Sequence, residues 1–142
     1  MGEARELMDR MTAAVTGTPD LEALGECLAE DVVASTPDQL ELRGRKALVD
    51  YFGDMSEAIP EAYFEPVAAY EVGDTAIDEG YYTGRNTGPL TMPDGSKLPP
   101  TQREIRIRGC DLATVRDGRI VEYRLYFDQF EFMSQLGLIP EE

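Results

Sequence analysis

An Asp-Gly turn feeding an alternating run limits this chain more than any other feature. Asp117-Gly118 stands before R-I-V-E-Y-R-L-Y-F, residues 119–127. Gly tolerates the positive φ of a tight hairpin turn, so the dipeptide marks the start of a returning antiparallel strand. Side chains alternate along a strand. Val121, Tyr123, Leu125 and Phe127 therefore share one face, and Glu122, Arg124, Tyr126 and Asp128 the other. The second face is the less ordinary one, because Asp128 lies between Tyr126 and the apolar Phe130, Phe132 and Met133. Apolar surroundings disfavour a charged carboxylate and raise its pKa, which makes Asp128 a candidate general acid/base. The alternative is an Asp that ends the strand by hydrogen-bonding a turn. The first face leaves Tyr123, Leu125 and Phe127 as an apolar outer stripe suited to pairing two copies of the chain.

Zero histidines exclude an imidazole base, a His-based triad and a His–metal site. Any catalysis falls to carboxylates, Tyr, Cys, Lys, Arg, hydroxyls, amides or backbone. The balance of 13 Lys and Arg against 28 Asp and Glu gives a formal charge of −15, with no basic tract, and argues against nucleic acid or an anionic membrane as partner. No apolar run reaches membrane-spanning length. Cys27 and Cys110 are far apart and read as two thiols. The start, M-G-E-A-R-E, carries neither a secretory nor a myristoylation pattern. The expectation is a reduced, cytoplasmic protein, and the 142 residues suit one domain, 1–142.

Helical periodicity comes first. Leu7, Met8, Met11, Ala14 and Val15 share a face within 3–16. Thr18-Pro19-Asp20 reads as a helix start, followed by the stripe Leu21, Leu24, Cys27 and Leu28. A β-like stretch at 31–42 contains Pro37 and Asp38. A third helix over 44–55 turns Leu48, Tyr51, Phe52 and Met55 inward. Strands follow at 62–72, bulged or at an edge at Pro66, and at 75–85, carrying Tyr81 and Tyr82. Residues 86–102, rich in Gly and Pro, form a long loop of the kind that serves as a lid or stays disordered. A strand over 102–115 places Ile105 and Ile107 on one face and Arg106, Arg108 and Cys110 on the other. Helices first and antiparallel strands after them make an α+β chain, here a strongly curved sheet covered by the N-terminal helices, with an apolar pocket as the default ligand site.

Several segments in this order carry a family pattern: Gly73-Asp74, Gly84-Arg85-Asn86-Thr87-Gly88-Pro89-Leu90, Pro99-Pro100-Thr101, Asp117-Gly118-Arg119-Ile120-Val121-Glu122, Asp128 and Gln135-Leu136-Gly137-Leu138. Together they resemble the SnoaL-like polyketide cyclases of the nuclear transport factor 2-like superfamily. The resemblance implies a cone-shaped, cystatin-like α+β barrel with a curved antiparallel or mixed sheet, an apolar pocket and dimerisation through the outer sheet face. It also implies a general acid/base at Asp128, driving aldol ring closure of a small apolar ketone or polyketide-like substrate without metal or cofactor. The chain departs from the pattern where Asn86 stands for the family's His and Arg124 for its Trp.

On this reading Asp128 and Asn86 are the catalytic candidates, with Asn86 hydrogen-bonding a carbonyl or enolate oxygen. Arg124, Tyr126, Tyr82, Tyr51, Cys110 and Asp38 are candidates for contact with substrate. Two alternatives stay open. One is an epoxide hydrolase or ketosteroid isomerase-like member, using Asp128 with Arg124 or Arg85, or Asp38 with Glu65. The other is a module that binds a small ligand without chemistry.

Overall fold

The computed structural model describes residues 2–139. Three helices and two strands lead: α1 (Glu3–Val15), α2 (Leu21–Cys27), β1 (Leu28–Ser35), β2 (Leu42–Arg43) and α3 (Arg45–Ala58). Long strands follow at β3 (Tyr63–Val72) and β4 (Thr75–Arg85), then the short β5 (Leu90–Thr91) and β6 (Lys97–Leu98). The chain continues through β7 (Glu104–Arg116) and β8 (Arg119–Phe127) to α4 (Gln129–Gln135). Six strands form one sheet in the order β2-β1-β8-β7-β4-β3, antiparallel throughout except where β1 runs parallel to β8. This is the expected mixed α+β architecture, a curved sheet that stays open rather than closing into a barrel.

Local chemistry explains most boundaries. The β7–β8 turn has positive φ at both Asp117 (52°) and Gly118 (75°), the geometry that matches strand twist in a two-residue hairpin. The α2 cap is Asp20, not Thr18: its carboxylate accepts from the Ala23 N–H at 3.0 Å, and the helix begins after it. Leu28, read as helical, starts β1 instead. The register of β3 on β4 shifts between Pro66 and Ala68, the bulge expected at an edge-strand proline. A second irregularity leaves Val121 without a ladder partner, so Ile120 rather than Val121 enters the core.

The helices cover one face of the sheet, and the core there is split. One cluster joins Leu7, Met8 and Met11 of α1 to Ala76, Ala113, Val115 and Tyr123 of the sheet. The other joins Ala58 and Ile59 at the end of α3 to Ile105, Ile107, Leu90, Phe132 and Leu136. Residues 86–102 are not an open loop, because Leu90 and Leu98 pair as a small hairpin that packs on the second cluster.

Asn86 holds that hairpin. It is 1% exposed, and its Nδ2 donates to the carbonyls of Ala58 and Gly88, each at 3.0 Å. Its Oδ1 accepts from the Thr101 N–H at 2.7 Å and the Thr101 hydroxyl at 3.0 Å. With both ends of the amide committed to the protein, Asn86 ties α3 to the β4–β7 connection and has no donor left for a substrate oxygen. Each buried partner orphaned by its removal costs roughly 1–3 kcal/mol, so Asn86→Ala is expected to destabilise the fold by at least 2–3 kcal/mol in urea unfolding. A loss below about 0.5 kcal/mol, the range of ordinary surface substitutions, would contradict this structural role.

Candidate active site

Between the two core clusters the inner face of the sheet changes character. Along β7 the inward positions run Ile105, Ile107, Gly109, Asp111, Ala113 and Val115; along β4 they run Ala76, Asp78, Gly80 and Tyr82. The ladder sets Gly80 directly opposite Gly109 and Asp78 directly opposite Asp111. Two glycines facing each other leave the space that side chains fill above and below. A Cβ on Gly80 would lie 2.3 Å from the Glu65 carbonyl oxygen and 2.5 Å from Cζ of Phe64, so the approach of β3 at its bulge requires glycine there.

The result is a cavity of about 110 Å³ under α1 and α3. Its walls are apolar, from Phe52 and Met55 of α3, Ile107 of β7, Leu125 and Phe127 of β8, and Phe132 of α4. Phe52 meets Tyr123 edge-on at 5.8 Å between ring centres, and Phe127 meets Phe132 at 5.7 Å. Its polar groups are few: Asp111, Asp78, Tyr123, Tyr82, Tyr51, Ser56, Thr12 of α1 and Thr16 at its end. Among the described residues no Lys or Arg lines it. A chamber of about 60 Å³ adjoins it, sharing Tyr51, Met55, Phe127 and Phe132 and adding Asp38, Gln39 and Asp54.

Asp111 is the titratable group this cavity perturbs in a useful range. Loss of water pushes its pKa up to about 6. The Tyr123 hydroxyl, donating to Asp111 Oδ2 at 2.7 Å, pulls it down; Asp78 opposite raises it and Arg5 lowers it. Asp78 has its own partner: Arg5 of α1 donates to Oδ2 from Nη2 at 2.9 Å, and both side chains are 9% exposed. Burial raises the pKa of Tyr82 and Tyr51, and for Tyr51 the carboxylate of Asp38, which accepts its O–H at 3.0 Å, adds to this. Tyr82 also borders the cavity, and its hydroxyl has no hydrogen-bond partner among the described residues, which leaves a free donor.

The cavity gathers some residues named from the sequence and not others. Tyr51, Tyr82 and Cys110 border it, and Asp38 reaches it through Tyr51. Burial pushes the Cys110 thiol up, away from the thiolate a nucleophile needs. Asp128 lies elsewhere. It is exposed and caps α4, its carboxylate accepting from the Glu131 N–H at 3.1 Å. Asp-x-x-Glu is the signature of such a cap, and the cap's need for a free helix end keeps Asp128 at the rim. Arg124 pairs with Glu122 rather than Asp128. Tyr126 is 53% exposed on the outer face, where Glu65 also pairs with Arg106 at 3.2 Å, remote from Asp38 in role. Tyr123, Leu125 and Phe127 are not an outer stripe: they line the cavity. Outward apolar side chains stand instead on β3, at Tyr63, Val67, Tyr70 and Val72.

The model of the SnoaL-like domain matches residues 7–123, and the chain belongs to this family, whose fold is that of the nuclear transport factor 2-like proteins. No functionally curated protein matches it. Among solved structures it is similar to a protein of Jannaschia sp. CCS1 assigned to the SnoaL-like polyketide cyclases: TM-score 0.84 and 18% identity, over 97% of this chain and 94% of that one. It is also similar to AclR of Streptomyces galilaeus, assigned as a hydroxylase, with TM-score 0.80 and 18% identity over 99% and 84% of the two chains. A protein of Catenulispora acidiphila DSM 44928 with a ketosteroid isomerase-like fold, solved with trimethylamine, matches with TM-score 0.74 and 22% identity over 94% of each chain. At these identities the likeness establishes the fold alone. Among the described residues no helix is long and apolar enough to cross a membrane.

The elevated pKa of Asp111 has a thermodynamic signature. Folding favours its protonated form, so between the unfolded value near 3.9 and the folded value near 6 the native state holds more protons and stability falls as pH rises. Asp111→Asn removes that penalty. Its stability relative to wild type is expected to improve by about 3 kcal/mol as pH rises from about 4 to about 7. Parallel stability curves for the two proteins over this range would mean that Asp111 is not desolvated.

Proposed function

We propose that this chain is an acid/base enzyme that moves a proton at carbon beside a carbonyl in a small, apolar, uncharged substrate, with Asp111 as the proton carrier. The observation that carries the reading is a carboxyl with a pKa near 6, hydrogen-bonded by one phenol and facing an apolar cavity. Ionised Asp111 takes the α-proton; the C–H bond breaks and its electron pair forms an enolate. The free Tyr82 hydroxyl then donates to the enolate oxygen, a contribution that grows as charge develops there. Protonated Asp111 returns the proton to another carbon, giving isomerisation. If the enolate carbon attacks a second carbonyl, the proton goes to the new alkoxide, giving aldol ring closure. Family membership makes polyketide-like ketones the first substrates to try. The role that the family pattern gives to Asp128 passes to Asp111 on this reading.

A second reading, opening of an epoxide, draws on Asp78 and Asp111 standing opposite each other. One carboxyl would protonate the epoxide oxygen as its C–O bond breaks, and the other would take a proton from the attacking water.

The test is proton exchange. In D₂O with 2-tetralone, proton NMR is expected to show protein-dependent deuterium entry whose rate rises with pH through about 6, as the base ionises. Asp111→Asn should lower the rate roughly a hundred- to ten-thousand-fold, and Tyr82→Phe about a hundred-fold. Asp128→Asn should leave it unchanged. Exchange that survives Asp111→Asn but is lost in Asp128→Asn would return the chemistry to the strand end and defeat the proposal.

A further inference from the structure

We infer that Arg5 and Asp78 form a positioning pair for the proton transfer proposed at Asp111, on which the inference rests: Arg5 neutralises Asp78, leaving Asp111 as the carboxyl that exchanges its proton with substrate. The starting point is the ladder. Directly opposite residues on adjacent antiparallel strands hold their Cβ atoms about 5 Å apart, and two carboxylates at that distance inside an apolar cavity resist ionising together. Left alone, such a pair shares one proton, and its two titration steps belong to the couple rather than to either residue.

Arg5 breaks this symmetry from outside the cavity. Its guanidinium is fully committed: Nε and Nη2 donate to Asp9 Oδ1 at 3.1 and 2.7 Å, and Nη2 also to Asp78 Oδ2 at 2.9 Å. Nη1 donates to the carbonyls of Tyr70 and Ile77, each at 3.4 Å. The fork is thus pinned to β3, β4 and its own helix, and its charge meets one carboxylate of the opposed pair. Asp111 has a phenol instead, the Tyr123 O–H. The groups bearing on Asp111 are Asp78 from β4, Tyr123 from β8 and Arg5 from α1; around them stand Asp9 on Arg5, Tyr51 of α3 beside Tyr123, and Cys110 next along β7. Arg5 supplies the positive charge among them.

An ion pair between a helix and a sheet could also be purely structural, but the two roles separate. Removing either member breaks the same α1–β4 contact, so a purely structural role predicts lost stability in both variants with the Asp111 midpoint left where it is. A positioning role predicts opposite changes. Asp78→Asn deletes the like charge and leaves Arg5 facing Asp111, so Asp111 should titrate at least about one unit lower. Arg5→Met leaves Asp78 unmatched, so the pair should titrate in two steps with the upper one above the wild-type midpoint. Arg5→Lys, which keeps the charge, should return the midpoint toward wild type.

The measurement is a carbon-13 carboxyl NMR titration of the full chain from pH 4 to 8.5, with the Asp111 signal assigned by its loss in Asp111→Asn. It needs no substrate. Midpoints that move in opposite directions support the inference, and midpoints that both stay, or both move the same way, overturn it. If Arg5→Met does not fold, the downward move in Asp78→Asn together with a wild-type midpoint in Arg5→Lys decides the matter. Ketone exchange run alongside keeps the two proposals apart. Opposed titrations without Asp111-dependent exchange defeat the proposed function alone. Exchange that depends on Asp111 with titrations indifferent to Arg5 and Asp78 defeats only this pairing.

Discussion

The unbroken pairing of β4 with β7 is the constraint on which the site depends. Eleven consecutive residues of β4, from Thr75 to Arg85, are matched to β7 without a shift. That ladder brings glycine to glycine at 80 and 109 and carboxylate to carboxylate at 78 and 111. A slip of one residue would turn every inward side chain outward. The glycine pair would then no longer open a cavity, and the two aspartates would lie in water on the outer face of the sheet. The register shifts fall elsewhere, at Pro66 on β3, near Val121 on β8 and between Leu28 and Val33 on β1, so the strands flanking the ladder absorb the irregularity.

Much of the fold was legible in the sequence, because it is written in strong local signals. The apolar stripe of α1, the Asp-Gly turn and the edge-strand proline each have a direct physical meaning, and each formed as expected. The α+β class followed from their order. The site was less legible, for a reason that can be traced to particular residues. Alternation on the last strand separated Tyr123, Leu125 and Phe127 correctly from Glu122, Arg124 and Tyr126, but alternation alone does not say which set faces the helices. Choosing the polar set as the pocket face led to Asp128, and the aromatics around it looked like a desolvating environment. The competing signal was present: Glu131 three residues on marks Asp128 as a helix cap.

The same alternation, carried further along β7, points at Asp111. Ile105 and Ile107 were recognised as one face. Two more steps of two reach Gly109 and Asp111, and two beyond them Ala113 and Val115. A carboxylate in register with an otherwise apolar or small inward row is a stronger indication of a perturbed acid than one at a strand end beside aromatics, because its burial is imposed by the strand itself. Asp78 follows the same logic on β4, between Ala76 and Gly80. No local pattern could have joined these two to each other or to Arg5, since those contacts depend on strand order and on how α1 crosses the sheet.

The charge balance of the cavity follows from that crossing. A chain with 28 acidic residues against 13 basic ones can place most of its charge in water at little cost, so a buried carboxylate needs either a partner or a function. Asp78 has a partner, the Arg5 guanidinium, whose Nη2 donates to its carboxylate. Asp111 has a weaker one, a phenol that hydrogen-bonds but does not neutralise, and burial there lifts its pKa toward neutrality instead of stabilising a pair. The fold pays for this with an uncompensated charge at neutral pH next to apolar walls. A site that only bound an apolar ligand would gain from Asn or Leu at the same position, with no such cost. Keeping a carboxyl in an inward position where it meets apolar walls and no full counter-charge is intelligible as a device for moving a proton, and on the proposed reading α1 serves that proton transfer as well as covering the cavity.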